Sequence, residues 1–156
     1  CYKTISLMYF SLLIYLVLLI KSQKPDFEIF IIFSILISIM SDVGGLVVGK
    51  TFKGKKLTKI SPNKTVSGSI GSFIFSLSLI PIFLEYLTNY DLLTLSIITL
   101  IISLTSQLGD LLISFLKRKA KVKNTSDLLP GHGGILDRID GIIFALPIGF
   151  LILVSF

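Results

Sequence analysis

The residues best suited to chemistry in this 156-residue chain are acidic side chains beside long apolar segments. Asp110 falls inside such a segment, where an unpaired carboxylate is unfavourable, so we expect a metal, a cation or a water-filled cavity as its partner. On a helix, Asp110, Ser114 and Lys117 follow at i, i+4 and i+7, which puts a carboxylate, a hydroxyl and an ammonium on one stripe. The alternative is an aspartate satisfied by a neighbouring helix.

A second cluster lies in residues 130–140, PGHGGILDRID. Its proline and glycines stop a helix and let backbone amides approach a ligand, as phosphate-binding loops require. Asp137 and Asp140 are spaced i, i+3 and share one face of the helix predicted to begin there, although near a helix amino terminus they also simply favour the dipole. His132, the only histidine, is either a catalytic residue or a loop residue that forms hydrogen bonds. The glycines are Gly131, Gly133 and Gly134.

A third group lies in residues 60–65, ISPNKT, ahead of an apolar segment that begins with Gly68. Ser61 or Thr65 is expected to cap that helix, whose exposed amides attract an anion. Asp42 lies where the preceding apolar segment reaches the same side. The alternative interpretation of the nearby glycines is close helix packing.

The elements that must position these residues are membrane helices. The chain is 53% hydrophobic and 15% charged, with a mean hydropathy of +0.90, which is more apolar surface than a water-soluble domain of this size can bury. We therefore predict an all-α, polytopic transmembrane bundle with about five membrane helices. The predicted spans are roughly Ile5 to Ile20, Phe27 to Met40, Gly68 to Leu87, Leu92 to Leu116 and Gly141 to Phe156. The second could continue through Ser41 and Asp42 into the following glycines.

The basic residues lie mainly in two loops. Twelve of the 15 Lys and Arg residues fall in 50–64 or 117–138. Both loops lie on one side, which the positive-inside rule assigns to the cytoplasm. The simplest interpretation of this charge is topology and attraction to anionic membrane lipids. Nucleic acid is not an expected partner, because no soluble module or aromatic platform accompanies the charge.

Carboxylates, glycine-rich turns and cationic side chains thus gather on one membrane face. Carboxylates suit Mg²⁺, which bridges them to substrate phosphates, while Lys and Arg bind the remaining phosphate oxygens. The pattern predicts phosphoryl or nucleotidyl transfer. The chain has no Walker A pattern, so a P-loop nucleotidase is not indicated.

The stretch from Ser114 to Asp140 closely resembles the signature of the phosphatidate cytidylyltransferase (CDP-diacylglycerol synthase) family. Gly109-Asp110-Leu111 matches that family's Gly-Asp-Leu, and residues 41–42 and 61–65 are similar to its two upstream motifs. Family members usually carry more amino-terminal membrane helices. We therefore expect this chain to be the carboxyl-terminal catalytic portion, a single membrane-embedded domain over 1–156, with 41–66 and 117–140 as its cytoplasmic active-site segments.

The resemblance implies transfer of CMP from CTP to phosphatidic acid, with CDP-diacylglycerol and pyrophosphate as products, in phospholipid biosynthesis. It implies an integral protein of the cytoplasmic membrane, if bacterial, with the active site facing the cytoplasm. The resemblance further implies that Mg²⁺ is required. The sequence is compatible with a second cation and with a homodimer.

The resemblance also implies residue roles. Asp110 and Asp137 would hold the catalytic cations, and Asp140 would belong to the same acidic cluster. The remaining roles concern the phosphates and the substrate pocket. Phosphate contacts are expected from Lys117, Arg118, Lys123 and Arg138, and further substrate contacts from Asp42, Ser61, Asn63, Lys64, Thr65, Ser114, Gly131, Gly133 and Gly134.

Three positions depart from the family pattern, because Ser67, Ile113 and Asn124 stand where the family commonly has carboxylates. These departures motivate one alternative, a noncatalytic scaffold or catalytically degenerate paralogue. Shared motifs leave a second, a related CTP-dependent polyprenol or phytol kinase or an ether-lipid cytidylyltransferase, and Asp110 as an ion or proton relay would suit a third, a transporter or channel. The full motif in 130–140 favours phosphatidate, and polar residues gathered at one face disfavour a transporter.

Overall fold

The computed structural model describes residues 27–58, 61, 64–120 and 136–155, with eight further helical positions between 8 and 21. In the last range, side chains are described for 141–152. The described chain is helical and has no strand, which confirms the predicted all-α class. The helices are α1 (Phe27–Phe52), α2 (Val66–Leu77), α3 (Ile80–Phe83), α4 (Leu92–Lys119) and α5 (Leu136–Ser155).

Three stretches of the described chain are helical, long and apolar enough to cross a bilayer, and they make this an integral membrane protein. They are Phe27–Phe52, Val66–Phe83 and Leu92–Lys119. The second predicted span therefore does continue through Asp42, as one helix of 26 residues. In α5 the described apolar stretch is the shorter Gly141–Ile152. The first predicted span lies mostly outside the described residues, so three of the expected five spans are confirmed.

One end of the bundle has an apolar, largely aromatic core. The amino-terminal half of α1 contributes Phe30 and Phe33, which are fully buried, and the Phe33 ring lies 4.8 Å from that of Phe83. The ring of Phe27 stacks on that of Phe150 in α5. Leu95 and Ile98, from the first turns of α4, belong to the same buried cluster. The end of the bundle that contains the carboxyl end of α5 is therefore closed by packed side chains.

The other half of the bundle is joined by hydroxyl groups. The serine ladder, as we name it, consists of buried serines from three helices, and its hydroxyls bond directly across the helix interfaces. The Ser38 and Ser106 hydroxyl oxygens lie 2.6 Å apart, Ser103 donates to Ser41 at 3.1 Å, and Ser76 donates to Ser103 at 3.1 Å. Within a bilayer, such bonds and close packing hold helices together in place of the hydrophobic effect. The ladder comprises Ser38, Ser41, Ser72, Ser76, Ser103 and Ser106.

Glycines bring α1 and α2 into backbone contact. A Cβ on Gly71 would lie 2.4 Å from the Cβ of Val48 and 2.7 Å from the carbonyl oxygen of Gly44. A Cβ on Gly68 would lie 2.7 Å from the carbonyl oxygen of Gly45. Close helix packing, the alternative interpretation of these glycines, is thus confirmed, and any side chain here would separate the two helices.

We expect Gly71→Ala to lower the free energy of unfolding by about 1–3 kcal/mol, because the added methyl meets backbone and a β-branched side chain that cannot move aside. The measurement is thermal or denaturant unfolding of the purified protein in detergent micelles. Gly149→Ala is the matched control. Its Cβ would first meet a side-chain oxygen, that of Ser34, at 3.0 Å, so a smaller change is expected. Equal stability of both variants would contradict this account of the α1–α2 contact.

Candidate active site

The half of the bundle that contains the serine ladder has a partly open cavity of about 340 Å³, whose lining includes charged and polar side chains as well as apolar surface. Three helices and the segment between α1 and α2 form its walls. Side chains from regions far apart in the sequence thus meet around one space. The lining residues are Ser41, Asp42, Gly45, Leu46, Leu57, Ser61, Lys64, Thr65, Gly68, Ser69, Ser72, Gln107 and Asp110.

The segment after α1 folds back on itself and carries Lys64 to this cavity. Lys53, with φ 43°, ends the helix in the left-handed conformation. The chain then pairs with its own return, since the amide of Leu57 donates to the carbonyl of Lys64 at 2.8 Å and that of Val66 to the carbonyl of Lys55 at 2.9 Å. The amide of Gly54 also donates to the Ser67 hydroxyl at 3.3 Å. These bonds fix the backbone on both sides of Lys64.

Thr65 begins α2. Its backbone is extended, and its hydroxyl accepts from the amide of Gly68 at 3.1 Å, which is the geometry of an amino-terminal cap. Of the two expected capping residues, Thr65 performs this role. The cap sets the direction of α2, so that Ser69 and Ser72 follow along the cavity wall.

Charge in the cavity is concentrated on three side chains. Lys64 forms an ion pair with Asp110, and each of the two side chains is 26% exposed. Asp42 borders the same space, where it is repelled by Asp110 and attracted by Lys64. The partner that Asp110 requires in a membrane helix is therefore a lysine from the loop. Two carboxylates face one ammonium, so these three groups leave one negative charge uncompensated.

Deeper in the cavity the lining is polar and uncharged. Ser72 donates to the carbonyl oxygen of Ser41 at 2.6 Å, and Ser69 donates to the Gln107 Oε1 atom at 2.5 Å. Gln107 lies one helical turn before Asp110 and thus on the same face of α4. Its Nε2 atom is the one buried side-chain nitrogen or oxygen without a hydrogen-bond partner among the described residues.

The structure brings together five of the residues predicted from the sequence. They come from two helices and the loop between α1 and α2, and all of them line the cavity. The carboxylate, ammonium and hydroxyl groups expected at a phosphate site are thus adjacent. The five are Asp42, Ser61, Lys64, Thr65 and Asp110.

Three other predicted residues whose side chains are described are not among those that line the cavity. Ser114, Lys117 and Arg118 lie further along α4, in its last three turns. The positive charges of Lys117 and Arg118 are favourable there, because the carboxyl end of a helix carries partial negative charge. Six predicted residues lie outside the described part of the chain: Asn63, Lys123, Gly131, His132, Gly133 and Gly134.

The first turns of α5 carry three further predicted residues, Asp137, Arg138 and Asp140, whose backbone is described and whose side chains are not. Gly141 follows directly, and a Cβ on it would lie 2.6 Å from the Ser106 hydroxyl oxygen. This contact puts the beginning of α5 beside α4, one turn of that helix before Asp110. The backbone of 137–140 therefore lies at the cavity end of the bundle.

A metal ion would find two carboxylates in the described part of the site. No group of three or more His, Cys, Asp or Glu side chains meets a metal's requirements within the described residues. Asp42 and Asp110 offer the hard oxygen ligands that Mg²⁺ prefers, and this ion commonly takes only one or two carboxylates together with water and phosphate oxygens. The donor set fits Mg²⁺ bound jointly with a substrate phosphate.

Residues 2–156 match the sequence model of a group described as the cytidylyltransferase family. This chain belongs to the cytidylyltransferase family. Relatives named phosphatidate cytidylyltransferase include one from Staphylococcus saprophyticus, 41% identical over 81% of this chain and 49% of its own length. Another, from Rickettsia bellii, is 42% identical over 91% of this chain and 63% of its own length. The chain spans about half to three-fifths of the curated relatives it matches. The family assignment agrees with the resemblance seen in the sequence motifs.

Four polar residues that line the cavity were not among the predicted site residues: Ser41, Ser69, Ser72 and Gln107. A signal for Gln107 existed, since it lies at i−3 from Asp110 and so shares its helix face. Ser69 and Ser72 gave no comparable signal, because serines in apolar helices also serve helix packing, as the serine ladder shows.

We expect Lys64→Met to lower the free energy of unfolding by about 1–2 kcal/mol, because Asp42 and Asp110 then repel each other without a counter-charge. This magnitude lies between those typical of exposed and of buried ion pairs. Adding Asp110→Asn should recover part of that loss. Unfolding of the wild type, both single variants and the double variant measures the coupling. Lys56→Met, at an exposed lysine of the same loop, is the control. Strictly additive effects of the two substitutions would show that the pair contributes nothing.

Proposed function

We propose that this protein transfers CMP from CTP to phosphatidic acid, giving CDP-diacylglycerol and pyrophosphate. The observation that carries the proposal is the Lys64–Asp110 pair beside Asp42 in the cavity between membrane helices. Membership of the cytidylyltransferase family supports the nucleotide chemistry, and the names of the relatives support phosphatidate as the acceptor.

In the proposed reaction, an oxygen of the phosphatidate headgroup attacks the α-phosphorus of CTP. The new oxygen–phosphorus bond forms as the bond from the α-phosphorus to the bridging oxygen breaks, and pyrophosphate leaves with that electron pair. The attacking phosphate is already ionised at neutral pH, so no strong general base is needed. The protein therefore acts mainly by positioning the two substrates and by offsetting negative charge.

Lys64 is suited to bind phosphate. Its ammonium already faces the cavity, held by the backbone bonds on both sides of the residue. A fixed cation near the α-phosphorus stabilises the charge that builds up in the transition state without reorganising at that moment. The cap residue Thr65 keeps the first amides of α2 at the same wall, where they favour an anion.

Mg²⁺ is part of the proposal. Asp42 and Asp110 would hold it, with Asp137 and Asp140 as further candidate ligands from α5. When bound, the ion would neutralise phosphate oxygens and make pyrophosphate a better leaving group. Arg138, Lys117, Arg118 and Lys123 are proposed to bind phosphates from the neighbouring segments.

Access for a lipid substrate is supported by Leu46. This side chain lines the cavity and is also 57% exposed on the outer surface of α1. Neighbouring positions on that surface, among them Val43 and Val47, are exposed and apolar, as expected of a face turned to acyl chains. A phosphatidate headgroup could thus enter while its tails stay in the bilayer. By the positive-inside rule, we propose that the cavity opens on the cytoplasmic side of the membrane.

The decisive test is an assay of purified protein with labelled CTP, Mg²⁺ and phosphatidic acid in mixed micelles. We expect CDP-diacylglycerol and pyrophosphate in equal amounts, and loss of both products when the divalent cation is removed by a chelator. CDP together with a phosphorylated alcohol, when polyprenol or phytol replaces the lipid, would identify the related kinase instead. Absence of any product from folded protein would refute the proposed activity.

Asp110→Asn should lower turnover by at least about 100-fold while the protein stays folded, because the amide keeps the shape of the carboxylate but neither binds a cation nor orients Lys64. The matched control is Asp91→Asn at the other end of the same helix. The hydrogen bond from Thr94 lowers the pKa of Asp91, which caps α4, and Asn caps helices equally well. Near-normal turnover in Asp110→Asn would remove Asp110 from the reaction centre.

A further inference from the structure

The unpartnered amide nitrogen of Gln107 needs a hydrogen-bond acceptor. Its Oε1 atom already accepts a hydrogen bond from Ser69 at 2.5 Å, so both Nε2 hydrogens remain to be donated. A buried donor without an acceptor is destabilising by about 1–3 kcal/mol, and such groups in folded proteins usually have a reason to be left open. Gln107 borders the cavity, so a bound molecule can supply the acceptor.

The position of Gln107 limits the kind of acceptor group that the bound molecule can offer to Nε2. Charge in the described cavity is confined to Asp42, Lys64 and Asp110, and the other lining residues, among them the Ser69 that bonds to Gln107, are uncharged. Phosphate groups belong with the charged residues, where a cation and an ammonium offset them. The Gln107 amide is a neutral donor one helical turn from Asp110, so it suits an uncharged polar group of the bound molecule.

We propose that Gln107 is a positioning residue for the nucleotide, whose Nε2 donates to an uncharged acceptor on the sugar or the base. This rests on the proposed function, in which the triphosphate occupies the charged part of the same cavity. The terminal torsion of a glutamine side chain has a broad minimum, so a small rotation turns Nε2 into the cavity while Oε1 stays bonded to Ser69. Ser69 thus sets the orientation of the Gln107 amide, and the hydrogen bond from this amide determines how far the nucleotide extends between the helices.

The test compares two ligands that share phosphates and differ in the uncharged part. Binding of labelled CTP is measured by equilibrium dialysis of the purified protein in micelles with Mg²⁺ and without phosphatidic acid, so that no turnover occurs. Inorganic pyrophosphate, which has neither sugar nor base, is measured as a competitor. For Gln107→Met we expect the Kd for CTP to rise about tenfold, as for the loss of one hydrogen bond, and the Kd for pyrophosphate to stay within about twofold.

A second variant covers the case in which Gln107→Met does not fold. Gln107→Asn keeps a neutral amide but shortens the side chain by one methylene group, and the same selective loss of CTP binding is expected. Thr105→Val, on the same helix and away from the cavity lining, should leave both ligands unaffected. Repeating the measurement with UTP, which lacks the N3 acceptor of cytosine, and with 2′-deoxy-CTP, which lacks the 2′-hydroxyl, tests these two acceptors, since the variant loses discrimination against a nucleotide that lacks the group bound by Gln107.

Two results would overturn the proposal. Unchanged CTP binding in both Gln107 variants would mean that the amide contacts no part of the nucleotide. An equal loss for CTP and pyrophosphate would mean that it acts on the phosphates or on the shape of the whole site. Wild-type protein that binds CTP but forms no CDP-diacylglycerol would instead refute the proposed activity and leave this inference standing.

Discussion

The negative charge of a carboxylate on a membrane helix must be compensated. For Asp110, this requirement determines how the whole described site is arranged. The compensating charge is Lys64, which does not lie on a neighbouring helix but on the loop between α1 and α2. The loop therefore has to fold back toward the bundle, and its return is held by backbone pairing and by the left-handed turn at Lys53. The same path delivers Thr65 to the start of α2, where its cap fixes the helix that forms the opposite wall.

Close approach of α1 and α2 is the second condition for this arrangement. Both helices carry glycines where they meet, and the contact is tight enough that a single Cβ would strike backbone. Beside this contact the serine ladder ties both helices to α4. Glycines allow the approach and hydroxyls make it specific, because a serine in lipid gains from a partner that only the correct register supplies. The aromatic core serves the other end of the bundle, where no cavity is needed.

Sequence patterns predicted the helical class and three of the spans, because these depend on local spacing and composition. They narrowed the cap of α2 to Ser61 or Thr65 and gave close packing as one interpretation of the glycines. The need of Asp110 for a partner was also visible. Its identity was not, since Lys64 is one of many basic residues in its loop and only the tertiary path selects it. The contact between Ser69 and Gln107, 38 residues apart, was equally inaccessible for that reason. The roles given to all the site residues stay predictions, and residues 123–134 also lie outside the described chain.

The separation of charge within the cavity follows from the same constraints. Charged groups occur where the loop between α1 and α2 reaches the helices, because only there can an ammonium meet Asp42 and Asp110. Deeper between the helices, an added charge would have no counter-charge, so the polar groups there are hydroxyls and one amide. A nucleoside triphosphate has the same division, with charge at one end and neutral hydrogen-bonding groups at the other. This match between the charge pattern of the cavity and that of a nucleoside triphosphate is the basis for the nucleotide orientation that we propose.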